Sequence, residues 1–196
     1  MPKVGRSERE GSAGMSSAME YLQGRGVPFL VLPHPQAETV LDTARRHGFP
    51  TAEVVKTVVL TTRYGNALLV LRADREVVEE LVVAALGDEE VGVAGERDLQ
   101  RNYPDYEPGS IPPLGPFFQA PMYVDAEVAR RDAVVFAAGR PSLAIRMLTK
   151  DLFREPPVVV APLTRESEEE ERAGDVTVRE PDLAVTERLQ QDEPAE

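Results

Sequence analysis

The stretch EVVKTVVL (53–60) sets one ammonium group, Lys56, inside an apolar, β-branched run. Lysine is scarce here: of 22 Lys and Arg residues, only Lys3, Lys56 and Lys150 are lysines. As a strand, the run turns Lys56 to the same side as Val54, Val58 and Leu60, with Val55, Thr57 and Val59 opposite. A strand apolar on both sides is normally covered on both. An ammonium placed there costs on the order of several kcal/mol unless it meets an anion, carbonyl groups or water. Two readings fit. Lys56 snorkels to solvent or pairs with Glu53, or it lines a cleft and binds an anionic or carbonyl ligand. A compact ammonium suits the second task better than a forked guanidinium.

The loop EPGSIPPLG (107–115) carries a second kind of chemistry. Its prolines at 108, 112 and 113 fix φ and remove amide donors, while Gly109 and Gly115 permit conformations other residues avoid. The amides that remain, on Gly109, Ser110 and Ile111, stand on a stiffened loop. Such a set can receive a carbonyl oxygen or hydroxyl as preorganised donors, or the segment is simply a rigid connection.

Other catalytic arrangements have little support. The chain has no G-x-S-x-G, H-E-x-x-H, Walker or dinucleotide-binding glycine motif. Asp105 and Glu107 sit two apart in a loop, as solvated carboxylates or an acid/base pair. His34, between two prolines, is either a loop histidine packed on the core or a pocket residue. His47 reads as a charge partner at a helix end. Two histidines and no cysteine argue against a metal site, and no cofactor is expected.

Alternating elements must hold these residues. Ser17 and Glu20 have capping-box spacing ahead of a short helix that stops at Gly26. FLVL (29–32) reads as a strand and 37–48 as a helix with Val40, Leu41 and Ala44 inward. TVVLTT (57–62) and ALLVLR (67–72) form a hairpin, with Gly65-Asn66 tolerating positive φ in its turn. Asp74 is expected to cap a helix running to Gly87, and 96–103 forms another. Residues 104–121 read as loop. MYVD (122–125), AVVFAA (133–138) and SLAIRML (142–148) are strands. Thr149 caps a last turn, and PPVVVAP leads out of the domain. The pattern lacks a regular βαβ period, so a mixed sheet flanked by helices, an α+β single domain, is expected.

The chain of 196 residues has a net charge of −12. Residues 165–196 hold 12 acidic and 4 basic side chains, and the remainder 22 and 18. The acidity therefore sits in a segment that can bury little, and 165–196 is expected to be a disordered tail, with 1–16 a flexible arm and 17–164 the folded domain. The polar N-terminus has no apolar core of a signal peptide, and no run reaches the length of a membrane helix, which fits a cytoplasmic location. The negative charge disfavours nucleic acid at long range. Arg45-Arg46, Arg130-Arg131, Arg140 and Arg146 provide the residues for a local basic rim.

Together, VVKTVVL, PGSIPPLG some fifty residues later, YVD, and a strand ending in AAG resemble the YbaK/prolyl-tRNA-synthetase-associated editing domains. LPHPQAETVLDTARRHGF is similar to their opening strand, His-containing loop and helix, and the likeness runs from about Val27 to Leu163. The resemblance implies a curved mixed sheet flanked by helices and a trans-acting aminoacyl-tRNA deacylase, which hydrolyses the ester of mischarged tRNA. The implied catalytic residues are Lys56 with the backbone of Gly109 and Ser110. The implied substrate-binding residues are Val27, Phe29, His34, Ile111, Pro113, Gly139, Arg140 and Ser142. Its partners would be the acceptor end of aminoacyl-tRNA and an aminoacyl-tRNA synthetase. EPGSIPPLGPFFQAPMYVD is similar to a subgroup in which Asp-x-Glu-Pro-Gly precedes the Pro-Pro and Gly. Tyr106 departs from the small residue or cysteine of many of its members and would narrow the pocket, and Arg-Pro-Ser after Gly139 departs from the small or His-containing pattern. A non-catalytic module that binds an aminoacyl or nucleotide group, or docks on a synthetase, is the other reading.

Overall fold

The computed structural model describes residues 16–35, 39–107, 109–140, 142–155 and 158–164. The chain divides into one unit from Met1 to Arg165 and a second from Glu166 to Glu196. The expected tail and residues 1–15 of the expected arm lie outside the described residues.

The elements run in chain order: α1 (Ser17–Gly24), β1 (Leu30–Pro33), α2 (Val40–Arg46), a single 3-10 turn (Thr51–Glu53), then β2 (Val55–Thr62) and β3 (Gly65–Arg72). After them come α3 (Glu79–Leu86), β4 (Gly92–Val93), α4 (Glu96–Asn102), α5 (Gly115–Phe118), β5 (Met122–Asp125) and α6 (Ala126–Ala129). The described chain closes with β6 (Ala133–Arg140), β7 (Leu143–Leu148), α7 (Thr149–Leu152) and β8 (Val158–Ala161). The α+β class is as expected. The strands divide into two sheets, a three-stranded antiparallel one ordered β1-β7-β6 and a five-stranded mixed one ordered β4-β2-β3-β5-β8. One parallel bridge, Val54 to Val135, joins them.

β3 is the central strand of the larger sheet, and Ala67 to Arg72 are all buried. Its alternate side chains feed two cores. Leu68 and Val70 join Val55, Val59, Met122, Val124 and Phe136 on one face. Leu69 and Leu71 join Leu60, Val82 of α3 and Leu163 on the other. A third cluster, Leu32, Ala44, Val54, Val135 and Ala144, fixes α2 over the junction of the sheets. Each such side chain contributes roughly 1.5–3 kcal/mol on burial, so β2 is held on both faces.

Several local expectations change. Ser16, not Ser17, caps α1, accepting from the Met19 amide; Ser17 is freed to meet Tyr106. Thr39 caps α2 with a capping box to Asp42. Asp74 does not cap α3, which begins at Glu79. Its carboxylate is taken by Arg72, at 2.9 and 2.6 Å. Asn66 pairs with Thr61 inside the hairpin rather than occupying its turn. Residues 115–118 are helical rather than loop. Leu148, not Thr149, precedes α7. The VVVA run does not leave the domain but pairs parallel with β5. Asp125 anchors the residues after β8 by accepting from the amides of Leu163 and Thr164.

Candidate functional site

Val54, the residue before β2, bridges Val135 of β6, and the two strands then belong to different sheets. Where they part there is a cleft of about 290 Å³, lined by Thr39, Val40 and Leu41 of α2, Val54 to Thr57 and Ala73, Phe136 and Ala137, and Gly109 and Ile111 of the proline-rich loop. That volume is near the lower end of small-ligand sites, roughly 300–1,000 Å³.

Lys56 stands in its wall, half-buried. The expected alternative partner is taken: Glu53 receives two hydrogen bonds from the Arg146 guanidinium, at 2.8 and 3.2 Å. Among the described residues the Lys56 side chain has neither a hydrogen bond nor an ion pair. Among the described residues the cleft lining contains no carboxylate and no imidazole. The Lys56 ammonium therefore meets apolar walls, main chain and hydroxyls there, where an anionic or carbonyl ligand gains more than in bulk water.

The loop opposite is shaped by a turn. Ser110 donates both its amide (2.9 Å) and its hydroxyl (2.8 Å) to the carbonyl of Glu107. Gly109 occupies the turn at φ +81°, a conformation that L side chains rarely adopt. Ser110 is buried and does not line the cleft. Its amide, expected as a donor to a ligand, is bonded to the Glu107 carbonyl here, and with the hydroxyl it braces the turn. The amides of Gly109 and Ile111 have no hydrogen-bond partner among the described residues.

The other expected residues are spread around this centre. Pro113 is buried behind the loop. Phe29 packs against the main core. Val27 lines a separate hollow with Tyr21, Arg25, Leu114 and Glu155. His34 is buried, its Nδ1 donating to the Pro35 carbonyl at 3.0 Å and its Nε2 without a partner among the described residues. The His34 amide bonds to the carbonyl of Ser142, whose side chain is exposed, as is that of Arg140. None of these lines the Lys56 cleft. Gly139, at φ +85°, lies against the Tyr106 ring. Burial raises the Tyr106 phenol above its usual pKa, opposed by a hydrogen bond to Ser17. The expected basic rim is partly neutralised, since Arg146 is held by Glu53 and Arg45 by Asp42.

Thr39, Val40, Leu41, Thr57, Ala73, Phe136 and Ala137 were not foreseen as lining. Thr57 alone had a signal, a hydroxyl next to Lys56 in an apolar run. Among the described residues no group of side chains could hold a metal ion, and no helix is long and apolar enough to cross a membrane.

Comparison with solved structures gives many matches. A candidate trans-editing enzyme for prolyl tRNA synthetase superposes with TM-score 0.67 at 21% identity, covering 78% of this chain and all of the other. The hypothetical protein APE2540 gives 0.64 at 22% identity, covering 74% and 97%. A scaffold used in computational epitope grafting gives 0.67 at 20%, covering 76% and 96%. At these identities the likeness establishes the fold. No curated protein matches. Residues 34–155, more than half of the chain and the span that contains Lys56, the proline-rich loop and Gly139, match the aminoacyl-tRNA editing domain, and the chain belongs to that family.

Proposed function

We propose that this protein is a trans-acting aminoacyl-tRNA deacylase, working in the cytoplasm on tRNA that carries a wrong, small amino acid. The observation that carries this reading is the shared cleft of Lys56 and Gly109, where a cation and a turn's amides both lack partners among the described residues. An aminoacyl ester is already activated. Attack of water on its carbonyl carbon breaks the bond to the ribose oxygen, and the proton returns to that oxygen, giving a free amino acid and intact tRNA. With no carboxylate or imidazole among the described lining residues, the protein's contribution in this reading is electrostatic. Lys56 binds beside the carbonyl or the terminal phosphate, and the amides of Gly109 and Ile111 receive the developing oxyanion or the ribose hydroxyl.

Selectivity follows from size. A cleft of this volume leaves little room for a large side chain, and the packing of Tyr106 on Gly139, two residues beyond the lining residue Ala137, would narrow it further. Apolar walls reject bulk by collision but separate one methylene by only about 1–3 kcal/mol. Docking on an aminoacyl-tRNA synthetase would offset the weak attraction of an acidic chain for tRNA.

A panel of correctly and incorrectly charged tRNAs, each incubated with the purified protein, tests this. Release of a small amino acid from a mischarged tRNA, with the matching correct tRNA spared, is expected. Release from none of them would leave a module that binds the aminoacyl end without cleaving it.

A further inference from the structure

The cleft contains a second polar group that the deacylase chemistry above does not use. Thr57 Oγ1 is buried without a hydrogen-bond partner among the described residues, and Thr57 is in the lining beside Lys56. Burying an unsatisfied hydroxyl is unfavourable, so a polar group brought to it from the cleft would be stabilised there.

The strand ladder adds to this. Ala73 donates to the Val54 carbonyl on the β3 side, whereas Ala94 donates to the Val59 carbonyl from the β4 side. Backbone groups alternate in direction along a strand. Odd-numbered residues of β2, Thr57 among them, therefore turn their N–H and C=O away from β3. On that edge β4 pairs only with Leu60 and Thr61, and the single bridge to β6 is at Val54. Thr57 thus turns its carbonyl toward the open edge of β2, next to a side-chain hydroxyl that has no hydrogen-bond partner among the described residues. Lys56, its neighbour in the chain, projects to the other side of the strand.

We propose that the Thr57 carbonyl and hydroxyl form the subsite for the α-ammonium group of the aminoacyl ester. This rests on the deacylase reading and adds a requirement to it. Two acceptors converge on the one cationic donor such a substrate has. Strand alternation keeps that cation on the face away from Lys56, which serves the carbonyl side. A substrate whose amine is acylated or replaced by a hydroxyl brings one neutral donor in place of an ammonium, so it loses the charge-assisted contact and leaves one of the two acceptors unsatisfied. The enzyme would then act on free aminoacyl esters and spare N-acylated ones.

The test compares one tRNA charged with an amino acid and with the α-hydroxy acid of the same side chain. Wild type is expected to cleave the amino ester at least about tenfold faster. Thr57→Val should lower kcat/KM for the amino ester about 10- to 100-fold, the range for a hydrogen bond to a charged group. The hydroxy ester should change by no more than about threefold, and Thr57→Ser should restore the preference. An equal effect on both esters, or none, overturns the proposal. Thr57→Ala is read in the same way should the valine variant not fold. If wild type cleaves neither ester, the deacylase reading has failed, and the subsite is judged by calorimetry with 3′-aminoacylamino-3′-deoxyadenosine and its α-hydroxy counterpart. Weakening of the amine-bearing analogue alone by Thr57→Val supports the subsite; equal weakening, or no binding by wild type, overturns it.

Discussion

Tyr106 lies directly against Gly139: a β-carbon added to that glycine would stand 2.8 Å from Cε1 of the tyrosine ring. The ring has little freedom to withdraw. Its hydroxyl is 2.9 Å from Ser17 Oγ, and its edge packs on Phe118 at a centroid distance of 5.3 Å. Gly139→Ala therefore introduces a collision and also forces an L side chain into φ +85°. Strain of this kind costs about 1–3 kcal/mol. The melting temperature should fall, and adding Tyr106→Ala should recover only the part due to the collision.

Removing the ring alone should change selectivity. Tyr106→Ala opens space beside Gly139 and Phe118, so larger acyl groups should gain about 10-fold or more in kcat/KM relative to small ones. Competition between two mischarged tRNAs with small and branched side chains measures the ratio. An unchanged ratio would place the side-chain pocket elsewhere.

Arg63 and Asp88 set a pH dependence of stability. The guanidinium donates from Nε and Nη2 to Oδ1, at 3.0 and 2.8 Å, and the Arg63 amide donates to Oδ2 at 3.1 Å. Hydrogen bonds from Arg63 hold the Asp88 carboxyl down to about 2, from 3.8. A depressed carboxyl pKa stabilises the fold above the unfolded value and ceases to do so as pH falls through the folded one. The gap in melting temperature between wild type and Asp88→Asn should be constant above about pH 5 and close between about pH 4 and pH 2. A gap that persists at pH 2 would contradict the assignment.

Ser110 offers a distinction between bracing and catalysis. Its hydroxyl bonds the Glu107 carbonyl, which its own amide also bonds. Ser110→Ala removes the first and keeps the second. Stability should fall by about 1 kcal/mol, while hydrolysis should stay within about tenfold of wild type, because the Gly109 turn survives. A loss of a thousandfold would return Ser110 to the reacting centre.

The sequence discloses elements whose signals are local. The β2–β3 hairpin, the helix stop at Gly87 and the strand at 122–125 follow from apolar alternation, left-handed glycine and β-propensity. Misreadings arose where a polar side chain had a tertiary competitor. Asp74 is a good cap in isolation, yet Arg72 binds it. β8 was unreadable as a sheet strand because its partner, β5, is more than thirty residues distant and parallel. At the site, the unusual lysine and the proline-braced loop were legible from composition. Which amide of that loop is free was not, since it depends on a turn closing onto Glu107. The part played by Thr57 required the hydrogen-bond register of β2, which only the folded ladder reveals.

Single-turnover hydrolysis of a mischarged tRNA by wild type and by Lys56→Ala tests the account most directly. Loss of a preorganised electrostatic contact should slow cleavage about 10²- to 10³-fold, with the melting temperature unchanged within a degree or so because the Lys56 side chain makes no ion pair or hydrogen bond among the described residues. Cleavage at the same rate by both proteins would contradict it.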